Sequence, residues 1–330
     1  MLKFIGRRIL HTIPLIIAVT LVVFILVDAM PGDEMTAYIN SLPEGSPRPT
    51  QEQYQQIRRV LELDKPWHLR YFDWLGDAAK GDFGTSFYYR RPAIEVVNNL
   101  IWHTFMINAI AMFLVFLIAI PLGVRAAAKK NGIFDRVVST TTLIFVSLPS
   151  FFIGLYLMRL FAVDFGLFPA TGMHSVISLV KGYATKADEI KDVLLHMALP
   201  VMTLTVIGVG TVSRYVRNAV IEVINQDYIR TARSKGLTER LVIYRHAFRN
   251  AWIPIISLLG VMLPRLFVGN IFVEAIFAWP GIGLEFLYAV YRRDGAMITV
   301  IILFFSVASV AGNLMADILY GVADPRIKIE

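Results

Sequence analysis

The sequence predicts an all-α integral membrane protein with six transmembrane helices, both termini cytoplasmic, and a helical extracytoplasmic loop between the first two helices. Three observations carry this expectation. Of the 330 residues, 56% are hydrophobic, against about 45–50% apolar in a soluble globular domain, and mean hydropathy is +0.59. The excess is gathered into blocks of about 20 residues or more, the length a helix rising about 1.5 Å per residue needs to cross the hydrocarbon core. Lysine and arginine fall unevenly between those blocks.

The six blocks are residues 9–30, 101–124, 137–163, 194–212, 253–278 and 298–319. In lipid each backbone N–H and C=O must be satisfied within its own segment, so these are helices and not strands. The first block has the basic start of a secretory signal in Lys3, Arg7 and Arg8. Its apolar run is longer than a signal's, and Met30-Pro31-Gly32-Asp33 lacks a small-residue cleavage pattern, so it reads as a retained helix.

Orientation follows from the basic residues. The N-terminal stretch, the connections at 125–136 and 213–252 and the tail 322–330 hold more than half of the 32 lysines and arginines, with few acids. The loop 31–99 instead sets eight basic residues against ten acidic ones. Both termini and the 213–252 connection are therefore expected in the cytoplasm. The net charge of +7 is then a product of topology. Nucleic-acid binding loses its motivation, and lipid is the expected surrounding. The chain divides into residues 1–93 (first helix and outer loop), a core at 94–321 with five helices, and a tail at 322–330.

Several chemistries are excluded. There is no cysteine, hence no disulfide framework, thiolate metal site or cysteine nucleophile. No phosphate-binding G-x-x-x-x-G-K-[ST] run, H-E-x-x-H or G-x-S-x-G occurs, and no carboxylates pair at a useful spacing within the blocks.

The loops carry the remaining signals. Thr50 with Gln53 forms a capping box for a helix over 51–63, which Asp64-Lys65-Pro66 ends. A second short helix bearing Trp67, Tyr71, Phe72 and Trp74 is expected to cap the helix ends, its aromatics at the membrane interface. In 213–252, Asp227 is placed to cap a helix running to Lys235, Gly236 to occupy its C′ position, and Thr238 to cap the helix that follows. Ile229 and Ala232 share one side of the first of these, an apolar edge suited to the groove of another protein. Trp279-Pro280-Gly281-Ile282-Gly283 forces a turn, and an amphipathic helix over 284–291 returns before the last block. This reads as a re-entrant outer lid built on Glu274, Pro280, Gly281 and Gly283, tolerated at membrane depth only where protein or a water-filled cavity surrounds it.

Polar residues inside the blocks are few. Arg265 sits near the middle of the fifth, where a charge costs at least about 2.5 kcal/mol on insertion scales. It must face a cavity or pair with an acid. Arg265 and Asn270 are the candidate pathway residues. Asn108, Asn270 and Asn313 also fit interhelical hydrogen bonds. Arg159 and Glu274 lie near outer ends, where snorkelling is expected, and His103 and His196 are isolated interface residues rather than metal ligands. Pro149, Pro254 and Pro264 are expected kinks. Gly154, Gly208, Gly210, Gly260 and Gly269 allow close helix packing.

One segment is recognisable. DYIRTARSKGLTERLVIYRHAFRNAWIP (227–254) resembles the EAA loop of ABC-transporter permeases, in the form found in the dipeptide and oligopeptide permease branch. RRILHTIPLIIAVTLVVFILVDAMPGD (7–33), GDFGTSF (81–87), FVEAIFAWPGIG (272–283) and DILYGVADPRI (317–327) are similar to other signatures of that branch, in the same order. Arg230 stands where the general EAA pattern has glutamate, and the first downstream proline is Pro254; Ala232 and Gly236 match.

The resemblance implies a type I importer permease of the prokaryotic inner membrane. Two related permeases form the pore, two cytoplasmic ATPases bind ATP-Mg and drive it, and an extracytoplasmic binding protein delivers the substrate. No cofactor is then expected in this chain. The coupling residues would be Asp227, Tyr228, Ala232, Gly236 and Leu237, and the cargo di- or oligopeptides. Nickel chelates and oligosaccharides are carried by relatives in the same branch. A stand-alone secondary transporter or channel would need carboxylates inside the spans, whereas Asp28 and Asp317 lie at span ends.

Overall fold

The computed structural model describes residues 2–30, 39, 47, 50–60 and 64–323. The expected end of the loop helix at residue 63, part of the outer loop and most of the tail lie outside these. In chain order the helices are α1 (Leu2–Asp28), α2 (Gln51–Val60), α3 (Trp67–Ala78), α4 (Ala93–Ala128), α5 (Ile133–Ser147), α6 (Ser150–Leu157, continued by a π-helical stretch Met158–Asp164), α7 (Val176–Lys181), α8 (Lys186–Ile224), α9 (Asp227–Ser234), α10 (Glu239–Leu266), α11 (Ile271–Ile276), α12 (Ile282–Arg292) and α13 (Gly295–Ala323). The described strands are β1 (Thr85–Ser86) and β2 (Arg91–Pro92), an antiparallel pair joining Thr85 to Pro92 and Ser86 to Arg91.

Helices α4, α8, α10 and Gly295–Ala316 of α13 are each long and apolar enough to cross a membrane. α1 is helical over 27 residues, with Thr12–Asp28 its apolar part. Two expected spans are not the straight helices that the apolar runs suggest. The run 137–163 breaks into α5 and α6, bent by 103°. The cause is Pro149, the N-cap residue before α6, which has no N–H to donate and drives Leu148 to ψ 138°. The run 253–278 is divided as well. α10 tightens into a 3₁₀ turn over Leu263–Leu266 around Pro264, and α11 begins only at Ile271. Pro254, by contrast, lies inside α10 without ending it.

Capping chemistry sets several starts. Thr50 N–H donates to Gln53 Oε1 at 2.9 Å and Gln53 N–H to Thr50 Oγ1 at 3.4 Å, the reciprocal pair expected ahead of α2. Thr185 and Asp188 make the same exchange ahead of α8. Asp227 and Thr238 do not cap as expected. Gln226 holds the N-cap position of α9, and Thr238 makes no side-chain capping bond.

The chain forms two compact units. One comprises Met1–Thr104, Phe267–Ile271 and Pro280–Ala311. Its core joins Val23 of α1, Val97 of α4, Ile282 and Ala289 of α12 and Met297 and Ile301 of α13. Tyr71 of α3 is buried against α1, with its hydroxyl 3.1 Å from both Thr20 Oγ1 and Ile17 O and its ring 5.4 Å from Phe24. The aromatic loop helix therefore packs along the flank of α1, from Ile17 to Phe24, and not on the helix ends as its composition suggested.

The other unit comprises Phe105–Leu266, Phe272–Trp279 and Gly312–Glu330. α4, α8 and α10 pack through Val115, Ala119, Val212, Val216 and Ile255. Small residues bring backbones together here. A Cβ on Gly312 would meet the Pro264 ring at 2.2 Å and one on Gly208 the Val115 side chain at 2.4 Å. Asp135, 3% exposed, takes a two-pronged contact from Arg217, with Nε at 2.5 Å and Nη2 at 2.8 Å, and accepts from Asn131 N–H at 2.8 Å. This pair ties α5 to α8. Asp135→Ala should strand the Arg217 charge and destabilise the protein by about 3 kcal/mol, with part of the loss recovered in Asp135→Ala/Arg217→Met. Unfolding of the purified variants in mixed detergent micelles tests the cycle.

Candidate functional site

The 213–252 connection folds as a corner. α8 ends at Ile224, α9 occupies Asp227–Ser234, and the chain reverses at Gly236 before α10 begins. Gly236 has φ +76°, a left-handed conformation that costs an L-residue about 1–2 kcal/mol, so glycine is the residue that lets α9 stop there. Across that turn Arg233 forks onto Glu239, Nε to Oε2 at 3.1 Å and Nη2 to Oε1 at 2.6 Å.

The apolar edge of α9 faces its own chain. Ile229 is fully buried with Val242 and Ala247 of α10, and Ala232 and Leu237 pack against the same cluster with Val223 and Ile224. The expectation that Ile229 and Ala232 lie in a partner's groove is therefore corrected. They are the anchor, and the outward surface is polar. Asp227 is fully exposed, Arg230 stands 3.6 Å from it, and Tyr228 is exposed while its hydroxyl accepts from Asn250 Nδ2 at 2.9 Å. Of the expected coupling residues, Asp227, Tyr228 and Gly236 lie on the exposed side, and Ala232 and Leu237 hold the corner to the helices behind it. Sequence periodicity alone could not tell which partner the apolar edge would meet.

The lid residues separate between the two units. Glu274 of α11 is fully buried, as are Val273 and Trp279 nearby, and Trp279 N–H donates to Glu274 O at 2.8 Å. Snorkelling is thus the wrong reading of Glu274. Pro280, Gly281 and Gly283 belong to the other unit. There the Pro280 carbonyl lies 2.9 Å from His103 Nδ1, and Ile282 N–H, an orphan donor at the start of α12, donates to the buried Thr104 Oγ1 at 2.8 Å. Arg265 is exposed at the 3₁₀ end of α10, with no carboxylate partner among the described residues, while the Leu266 carbonyl beside it accepts from Asn108 Nδ2 at 3.3 Å. Asn270, in the other unit, is half-buried.

Sequence reasoning missed the groups that fasten the β-hairpin to α12. Ser86 Oγ donates to Asp294 Oδ2 at 2.5 Å, and Asp294 Oδ1 in turn accepts from Met297 N–H at 3.2 Å at the start of α13. Tyr89 Oη donates to Glu285 Oε2 at 2.7 Å, and Arg292 stacks 3.5 Å over Tyr88. Ser86, Glu285 and Asp294 are all buried. Burial pushes the Glu285 carboxyl up. Burial first, then the bond to Glu285, pushes the Tyr89 phenol up to about 12.

Taken together these features define a class, a multi-helix membrane protein with a basic corner between two long helices. Residues 1–107 match the N-terminal model, and 119–329 the main model, of the binding-protein-dependent transport system inner membrane component. The chain belongs to this family of multi-pass inner membrane permeases, which are subunits of ABC importers and not themselves enzymes. It is 34% identical over 329 residues, 99% of this chain and 100% of the relative, to the oligopeptide transport system permease protein AppB of Bacillus subtilis. It is 33% identical to the di/tripeptide transport system permease protein DppB of Pseudomonas aeruginosa, covering 99% of each chain. It is 32% identical to the glutathione transport system permease protein GsiC of Salmonella choleraesuis, also covering 99% of each. Among solved structures, a chain of the inward-facing MetNI methionine ABC transporter superposes with a TM-score of 0.52 at 18% identity, covering 69% of this chain and 98% of that one. At that identity the likeness concerns fold alone.

The hairpin contact yields a pH prediction. Tyr89 has a folded value above the ordinary 10, so its contribution to stability is complete below about pH 10 and lost as pH rises through about 12. Wild type should therefore lose more thermal stability than Tyr89→Phe over that interval. Thermal melts from pH 9 to 12, with the phenolate absorbance followed in parallel, check the sign. Equal loss in both proteins counts against the assignment.

Proposed function

We propose that this chain is a pore-forming permease subunit of an ATP-driven importer of di- or oligopeptides. Its partners in this reading are a second, homologous permease, two cytoplasmic ATPases that bind ATP-Mg, and an extracytoplasmic substrate-binding protein. Whole-length similarity to peptide permeases supports the cargo. The chain crosses the membrane six times, with α5 and α6 counting as one bent crossing and α1 as the first, and both termini are cytoplasmic. The concentration of arginine and lysine around α9 supports that orientation.

The observation that carries the mechanism is the α9 corner. Its outward residues, Asp227, Tyr228 and Arg230, are available to a partner, while Ile229, Ala232 and Leu237 fix it to α8 and α10. α10 continues from this corner for 28 residues to Leu266, about 40 Å at 1.5 Å per residue. Movement of the ATPase pair, delivered to α9, is carried along α10 to Pro264 and Arg265, where the helix tightens and ends. Arg265 is too costly to leave facing lipid. It faces the substrate path or the second permease, where a guanidinium attracts a peptide carboxylate. In this reading Glu274, Pro280, Gly281 and Gly283 are the outer-lid residues and Asn270 is a candidate pathway residue.

Gly236→Pro tests the coupling role. Proline cannot adopt the positive φ at this position, so the corner should be displaced while the spans still insert. In proteoliposomes holding the complete transporter, labelled peptide uptake should fall to background and substrate-stimulated ATP hydrolysis should be lost. Gly236→Ala, with a penalty of about 1–2 kcal/mol, should give an intermediate rate. Normal uptake by the proline variant would overturn the assignment.

A further inference from the structure

A cavity of about 330 Å³ opens in the unit that contains α1 to α3. Its walls come from the end of α1 (Phe24, Asp28), the two loop helices (Arg58, Trp74), the start of the hairpin (Phe83, Phe87) and the beginning of α13 (Gly295, Thr299). α1 leaves its apolar stretch at Asp28 and the apolar span in α13 starts at Gly295. The two ends line one cavity, so it sits where two oppositely directed membrane helices meet water on the same face.

Among its described lining residues, Arg58, Arg70 and Arg293 are cationic and Asp28 is a carboxylate. Asp28 pairs with one terminal nitrogen of Arg70. The Arg70 Nε–H remains, buried and without a hydrogen-bond partner among the described residues, and such a donor costs about 1–3 kcal/mol, more on a charged group. Burial also draws the Arg70 guanidinium below its ordinary value. Arg58 Nε lies 3.4 Å from Asp64 Oδ1. Arg293 has no carboxylate partner among the described residues. It is held at φ +59°, in the left-handed region, at the end of α12.

A site lined by arginines together with aromatic rings suits a ligand with an anionic head and an apolar body. At the hydrocarbon–water boundary the abundant molecule of that description is a phospholipid, and basic pockets between membrane helices are suited to phospholipid head groups. We infer that this cavity binds the phosphodiester head group of a membrane glycerophospholipid, held by Arg70, Arg58 and Arg293, with its glycerol and upper acyl carbons against Phe24 and Phe83. The bound phosphate supplies the acceptor that Arg70 Nε–H lacks and fastens the outer-loop helices to the ends of α1 and α13. This depends on the membrane-spanning character of α1 and α13 and is independent of the peptide cargo and of the α9 coupling role.

The test uses the full chain, purified in a neutral maltoside detergent and stripped of lipid, with thermal stability read as dioctanoyl phosphatidylglycerol is added. The wild type should show a saturable rise. Arg293→Gln and Arg58→Gln should each weaken the apparent affinity roughly tenfold, as expected for losing one charge-assisted hydrogen bond. Ala296→Trp, which changes no charge and fills the cavity, should abolish the response, so the test survives if an arginine variant folds poorly. Dioctanoylglycerol, which lacks the phosphate, should give none. Equal responses in wild type and Ala296→Trp would overturn the site. A response to glycerol 3-phosphate matching that of the lipid would overturn the membrane as source, and a response to a dipeptide but not to the lipid would overturn the ligand class.

Discussion

Backbone groups that leave the helical path in an apolar setting lose partners worth several kcal/mol each, and the architecture is organised around restoring them. The breaks at Leu266 and Pro280 fall within or beside apolar runs. Each is met by a side chain or backbone from another element of the same unit. Asn108 reaches the Leu266 carbonyl, Thr104 takes the Ile282 N–H, and His103 meets the Pro280 carbonyl. In the unit containing α6 and α8, the Gly172 N–H donates to Phe277 O at 2.8 Å. Asn108, Thr104 and His103 all lie on α4. One helix therefore supplies the groups that make two non-helical passages tolerable, and it does so with a handful of polar side chains in an otherwise apolar sequence.

That constraint explains what could be read from the amino acids. Long apolar runs located the helices long enough to cross a membrane, α4, α8, α10 and α13, because nothing shorter satisfies the backbone in lipid. Local chemistry located the Thr50–Gln53 cap and the glycine reversal at Gly236, since both depend on residues a few positions apart. What stayed hidden needs distant partners. Whether Pro149 or Pro254 breaks its helix depends on the surrounding packing, and the composition of the two runs is alike. Glu274 looked like a snorkelling acid by its position but is fully buried, as are Val273 and Phe277 in the same chain segment. The pairs Ser86–Asp294 and Tyr89–Glu285 join residues some 200 positions apart, and such contacts leave no periodic trace.

The candidate coupling site shows the same division. Resemblance marked the segment, and the turn glycine was legible, but the facing of α9 was not. An amphipathic helix of eight residues declares that it has an apolar side without saying what covers it. Here the cover is α10 and the end of α8, so the corner is a prebuilt part of this chain. It does not have to fold on a partner. The Arg233–Glu239 fork is exposed and adds little stability of its own. Its use is to hold the angle between two helices across a flexible residue.

α4 and α8 run 36 and 39 residues, about 54 and 58 Å, whereas the hydrocarbon layer is about 30 Å thick. Both helices outreach the bilayer, and the charged residues of α8 lie towards its ends, from Lys186 to Asp192 and from Arg214 to Glu222. Membranes that thin or thicken by a few ångströms move the water boundary along rods that are already helical on either side of it. The backbone of α8 therefore keeps its hydrogen bonds when the boundary moves, while hydrophobic mismatch is set by the 21 residues between Asp192 and Arg214, about 31 Å of helix, close to the hydrocarbon thickness itself.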